Sequence, residues 1–283
     1  MPFPVAAITD EFSPDIETAA RVMAGIGMTG AELRMVFGKN IIDLTDAEID
    51  RACEILARQG LAIISIASPL LKCVLPDAPP VDARFQQDVF ASAHTFADQP
   101  RLADRALAIA ERTGASIIRV FSYWRTVEPA ACFERVARAL EQLAVAAAGH
   151  GRIIGIENEH ACNIATGAET GRLLSAVSHP NLQVVWDPAN AYVSGETPYP
   201  EGYACLPPAR IAHVHAKDCV VENHRPNWCE LGEGSIAWHG QIRGLDADGY
   251  RGWISLETHW QGPHGDKLEA STICGRNLIR MAG

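Results

Sequence analysis

No two of the eight cysteines form a C-x-x-C pair; they lie scattered at 53, 73, 132, 162, 205, 219, 229 and 274. In a chain of 283 residues this scatter argues against a disulfide framework or a zinc knuckle and reads as reduced thiols in a cytoplasm. Positive charge is also scarce. With 24 Lys and Arg against 34 Asp and Glu, the net charge is −10, which disfavours a nucleic-acid backbone as partner because phosphate binding needs clustered cations. No apolar run approaches a membrane span. The opening Met1-Pro2-Phe3-Pro4 has no basic n-region and meets Asp10 and Glu11 before any long apolar stretch, so no signal peptide is expected. No Pro/Gly/Ser linker divides the chain into halves of different composition, and one domain over 1–283 is expected.

What is present is a repeating alternation. Apolar runs at 5–8, 30–34, 61–67, 116–121, 153–157, 182–187, 211–215 and 252–257 are separated by stretches with helical start signals or helical spacing. Ser13-Pro14 is the expected opening of the first helix, and Gly25 and Gly27 its stop. Thr45-x-x-Glu48 and Thr166-x-x-Glu169 have the form of capping boxes. Ile49, Ala52, Ile55 and Leu56 recur at helical spacing before Gly60. The proline-rich segment 72–98 reads as a long loop over one end of the fold, and 218–235 as another loop. Eight strands alternating with about eight helices predict an α/β protein, a single (β/α)8 TIM barrel. An open doubly wound sheet is the competing reading. It is disfavoured because no G-x-G-x-x-G follows the first strand.

Four successive runs end in a side chain able to bind metal: Glu157, Asp187, His215 and Glu257. In a barrel, the C-terminal strand ends meet at one mouth. Three carboxylates and an imidazole brought together there would form a mononuclear site with open positions. Such a donor set favours Mn²⁺ or Mg²⁺, with Co²⁺ or Zn²⁺ as alternatives. A single Glu at a strand end is usually a cap or a surface salt bridge, but a buried cluster of about three negative charges calls for a cation. His213 shares a face with His215 and is expected to support or pack against it. Glu159 and His160 fall on a loop, where solvent exposure is the default.

In this order and spacing, Glu157 in I-E-N, Asp187 in W-D-P-A-N, His215 in H-V-H-A-K-D and Glu257 in S-L-E-T-H resemble the ligand set of the xylose isomerase-like TIM barrels, the sugar phosphate isomerase/epimerase superfamily. The resemblance spans almost the whole chain. It implies one divalent metal ion held by those four residues, with Glu157 and Glu257 also serving as the proton-transfer bases, as in the ketose 3-epimerases. The sequence departs from those epimerases at three places: Asn190 stands where a substrate-binding His is expected, Asn163 where a second Glu is expected, and Lys217-Asp218 where the chain would lead to an Arg. Endonuclease IV is disfavoured because strands three and four end without histidine.

The expected function is a divalent-metal-dependent isomerase or epimerase of a sugar, cyclitol or related hydroxy-carbonyl compound, working through a metal-stabilised enediolate. The alternative is a lyase or dehydratase on the same scaffold, which expels water or a glycosidic group. A ligand-binding barrel without catalysis is a third reading, disfavoured by an intact ligand set. Arg34, Glu32, Asn190, Lys217, Trp124 and His259 are the candidate substrate contacts, each weighed against a salt bridge, packing or solvent exposure. A small sugar-like molecule is the expected partner, with no nucleic acid or membrane, and a homo-oligomer is compatible with the sequence.

Overall fold

A computed structural model describes residues 3–85, 93–222 and 225–283. Eight parallel strands close into a barrel in sequence order: β1 (Val5–Ile8), β2 (Gly30–Leu33), β3 (Ala62–Ala67), β4 (Ile117–Val120), β5 (Ile153–Glu157), β6 (Leu182–Trp186), β7 (Ile211–Ala216) and β8 (Ile254–Leu256). Closure is made by β1 pairing with β8, with Val5 opposite Ile254 and Ala7 opposite Leu256. The apolar strands are buried on both faces because helices cover the outside and side chains fill the inside. Every residue of β1, β2, β4 and β8 is buried.

The helices begin where local chemistry satisfies their free N–H groups. Both capping boxes form: Thr45 and Glu48 cap the helix Asp46–Arg58, and Thr166 and Glu169 cap Gly167–Ala176. The first long helix differs from expectation. Asp15, not Ser13, is its N-cap, accepting from the Thr18 N–H at 3.0 Å, while Ser13 Oγ accepts from the Asp15 N–H. Gly27 ends that helix at φ 103°, a left-handed value that glycine adopts without strain.

Two short antiparallel pairs form outside the barrel, the first within the segment 218–235 expected as a loop. Asp218–Glu222 pairs antiparallel with Arg225–Cys229, and Met35–Val36 pairs with Lys39–Asn40. A short helix, Thr9–Phe12, leaves β1 directly and places Asp10 and Glu11 at the barrel mouth. In the expected long loop, Val81 bridges Thr126, and Ala83–Phe85 and Phe96–Asp98 are single 3-10 turns; residues 86–92 lie outside the described residues. Among the described residues no helix is long and apolar enough to cross a membrane, and no disulfide joins the cysteines.

Candidate active site and metal centre

The strand ends deliver their side chains to a common point. Glu157 is the last residue of β5, His215 the fifth of β7, and Glu257 follows β8 directly. Asp187, just after β6, caps the helix Pro188–Val193 and accepts from the Asn190 N–H through Oδ1. Its Oδ2 makes no hydrogen bond, though the Lys217 Nζ lies 2.9 Å away as an ion pair. One ligand atom from each of Glu157, Asp187, His215 and Glu257 lies within 4.8 Å of the others, and all four side chains are buried. This group could hold a metal ion. The hard oxygen donors with a single imidazole fit a divalent cation.

The chain also supplies positive charge of its own to this cluster. Lys217 is 1% exposed, and its ammonium bridges Asp187 Oδ2 at 2.9 Å and Glu257 Oε2 at 2.8 Å. Arg34 donates to Glu257 Oε1 at 3.1 Å and also binds Asp10 and Glu11. Arg119 donates to Glu157 Oε2 at 2.7 Å. Lys217, a candidate substrate contact weighed against solvent exposure, is buried; of the Glu32 and Arg34 pair, Glu32 bonds His213 while Arg34 bonds Asp10, Glu11 and Glu257.

Burial alone would depress the Lys217 ammonium, but Asp187 and Glu257 outweigh it and hold it well above the usual range. Burial raises Asp187 to about 6, because the single ammonium is shared and the neighbouring Glu157 and Glu257 carboxylates add to the rise. Glu257 is buried yet held well below the usual carboxylate range by Lys217 and His215. Glu157 is also lowered: His215 and Arg119 outweigh both burial and the repulsion of Glu257.

Glu32 lies beneath the cluster rather than on a cavity wall. Its Oε1 is 2.9 Å from His213 Nε2 and 3.2 Å from His215 Nε2. The other nitrogen of His215, Nδ1, faces Glu157 Oε1 and Glu257 Oε2, each at 3.4 Å. His213 thus contacts Glu32 and stands edge-on to the His215 ring, with 5.3 Å between centroids.

A cavity of 880 Å³ opens over the cluster. Glu257, Arg34, Arg119, His160 and His259 line it, whereas Glu157, Asp187, His215 and Lys217 do not reach its wall. His259 stands edge-on to Trp228 at 4.8 Å between ring centroids, and burial together with Lys217 pushes its imidazole down to about 3. Asn190 is buried; it donates to Glu157 Oε1 at 3.2 Å, and its Oδ1 is 2.9 Å from His160 Nδ1. Trp124 lines an adjoining pocket of 520 Å³ with Lys72, Cys73 and Phe96. Sequence reasoning missed Arg119, Lys72 and Lys267 as lining residues; the one available signal was a charged residue inside the apolar run of β4.

Comparison with known proteins agrees with this architecture. Residues 20–276 match the family model described as xylose isomerase-like TIM barrel. An inosose dehydratase from Erwinia tasmaniensis is 30% identical over 159 residues, 50% of this chain and 53% of that protein. The chain thus spans about half the length of the curated relative it matches. Among solved structures, a D-allulose 3-epimerase from Methylomonas sp. superposes with a TM-score of 0.70 at 17% identity, covering 100% of this chain and 98% of that one. The IolI protein with a bound zinc atom gives 0.73 at 12% identity, covering 100% and 95%. Those structural likenesses speak to the fold, and the family match to ancestry: the chain belongs to the xylose isomerase-like TIM barrel family.

Proposed function

We propose that the chain is a divalent-metal-dependent isomerase or epimerase of a sugar, cyclitol or related hydroxy-carbonyl compound. The observation that carries this reading is the convergence of Glu157, Asp187, His215 and Glu257 within 4.8 Å beneath a cavity large enough for such a molecule. Those four residues would hold the ion, with Mn²⁺ or Mg²⁺ favoured by the oxygen-rich donor set. When bound, the ion supplies Lewis acidity that weakens the C–H bond between a carbonyl and a hydroxyl.

The chain's own residues then move the proton. Glu157 and Glu257 are held ionised by their basic neighbours, so each can act as a base at neutral pH. In this reading one removes the proton and the other returns it, Glu257 from the cavity wall and Glu157 from just behind it, where it must be uncovered when substrate and metal bind. Arg34 and His259 face the cavity and would position substrate oxygens. Asn190 fixes the Glu157 carboxylate through its amide. Glu32 receives the Nε2 side of His215 and leaves Nδ1 directed at the ligand cluster, so its proposed role is to orient a ligand rather than to touch substrate. Lys217 is proposed as the internal counter-ion of Asp187 and Glu257.

A dehydratase is the second reading, favoured by the similarity to inosose dehydratase over half the chain. Both chemistries begin by removing the same kind of proton and diverge at the next step. Turnover of ketohexoses and inososes in deuterated water, followed by mass spectrometry, separates them. A product of unchanged skeleton mass carrying solvent deuterium supports the isomerase, and a product lighter by one water defeats it in favour of the lyase.

A further inference from the structure

His160 follows the end of β5 and lines the cavity, with 25% of its side chain exposed. Its Nδ1 lies 2.9 Å from Asn190 Oδ1 and 2.8 Å from Glu159 Oε1. The Asn190 amide cannot be turned the other way round: its Nδ2 donates to Glu157 Oε1 at 3.2 Å, and a carboxylate accepts hydrogen bonds without donating. Oδ1 is therefore the atom offered to His160. Glu159 is a second acceptor; its Oε1 also accepts from the Ala161 N–H, and its Oε2 faces Lys72 Nζ at 3.6 Å. Two acceptors at one ring nitrogen require a hydrogen on it, so Nδ1 carries N–H whether the ring is neutral or charged.

Nε2 is the nitrogen that remains, and it makes no hydrogen bond to any described residue. The Phe85 ring stands edge-on to the imidazole, with 6.4 Å between centroids. With Nδ1 committed, the neutral ring has a bare lone pair at Nε2 and the charged ring an N–H there, so this one atom can take or give a proton while the ring stays in place. Burial pulls the imidazole down, yet Glu159 and Asn190 outweigh both burial and the Lys217 ammonium and hold it above its ordinary value. Asn190 also joins this ring to Glu157, so a single amide sets the position of the imidazole relative to the carboxylate.

We infer that His160 is the acid–base group for the substrate's oxygen, exchanging its Nε2 proton with the carbonyl oxygen while Glu157 and Glu257 exchange the proton on carbon. The inference rests on the proposed isomerase reading and adds to it the source of the second proton. As a carboxylate takes the C–H proton, the bonding pair becomes the new C=C bond, the carbonyl π pair moves onto oxygen, and that oxygen takes the proton from Nε2. The ring is left neutral with Nδ1–H in place. The reverse transfer to Nε2 restores the carbonyl and the charged imidazole together.

The test is proton–nitrogen correlation NMR of the full chain with isotope-labelled histidine and Mg²⁺, followed by kinetics. His160, assigned through its contact with the Phe85 ring, is expected to show the Nδ1–H tautomer when neutral. Its Nε2 signal is expected to shift on addition of D-fructose or an inosose. A neutral ring with its hydrogen on Nε2, or an Nε2 signal unmoved by both ligands, overturns the inference; both outcomes are read on the wild-type chain, whether or not it turns either ligand over. On a ligand that the wild type does turn over, His160→Gln is expected to lower kcat by about 100-fold or more, the usual contribution of an acid–base group. KM should stay within about threefold, because glutamine can hold an oxygen without exchanging its proton. Added imidazole is expected to restore part of the turnover of His160→Ala. A kcat for His160→Gln within about threefold of wild type overturns the inference. Failure of the isomerase reading is seen separately, as a wild-type product lighter by one water in the deuterium experiment.

Discussion

Replacing Lys217 by Met keeps the unbranched stem of the side chain and removes the ammonium that ends it. The ammonium lies 2.9 Å from Asp187 and 2.8 Å from Glu257, and Asp187 is fully buried, so it cannot turn to water instead. Breaking a buried ion pair from one side costs about 3–5 kcal/mol. Globular proteins unfold with an entropy of about 2.1 cal/mol/K per residue, or about 0.6 kcal/mol/K for a chain of this length, so the melting temperature should fall by about 5–8 °C. That fall is expected with a chelator present. Added Mn²⁺ returns positive charge to the same two carboxylates, so it should stabilise Lys217→Met more than the wild type. Circular dichroism melts of both proteins at pH 7.5, in chelator and in Mn²⁺ at matched ionic strength, measure both effects. A melting point within about 2 °C of wild type in chelator would refute the counter-ion role, since it lies below the smallest cost expected of a broken buried pair. Equal stabilisation of the two proteins by Mn²⁺ would refute the shared ligands.

Other consequences can be measured independently. Glu32→Gln should weaken Mn²⁺ binding by about 10–100-fold, the usual cost of losing a partner that orients a ligand, and titration calorimetry on folded protein would show whether Glu32 acts through His215 in this way. Burial alone would lower the His160 imidazole, but Glu159 and the hydrogen bond to Asn190 raise it above its ordinary value. The stability it contributes is therefore fully present below about pH 6.5 and lost as the pH rises through the higher folded value; NMR titration of the ring should show a midpoint above 6.5, and His160→Gln should flatten that part of the stability profile.

The barrel was legible because its evidence is local. Apolar runs and helix starts repeat within short windows, and Thr45 with Glu48, or Thr166 with Glu169, show their capping function within four residues. Even there, side-chain reach decided a detail that composition could not: Ser13 lies two residues too early to cap the helix, and Asp15 does so. The hairpin at 218–229 was hidden because Pro226 and Asn227 read as loop residues, although Val220 and Val221 on the facing strand favour extension. The candidate ligands could be named from strand ends, since a parallel barrel sends every such end to one side. Their partners could not. Arg34 meets Glu257 across 223 positions and Glu32 meets His213 across 181, contacts that exist only once the barrel closes and its register is set.

That difference bears on how the proposed metal would enter. A strand-end carboxylate cluster with no internal cation would strain the closing barrel until an ion arrived, because each buried charge would lack a partner. Lys217, Arg34 and Arg119 remove that constraint by meeting Asp187, Glu257 and Glu157 directly. The barrel can then fold with its proposed ligands already gathered, and metal binding would become an exchange of one cation for another at Asp187 and Glu257. Exchange lowers net affinity, because the ion must displace an ammonium already in contact, but it spares the chain from depending on metal to fold. The proposed enzyme should therefore melt cooperatively in chelator while losing turnover. Unfolding upon chelation would contradict the internal neutralisation drawn from these ion pairs.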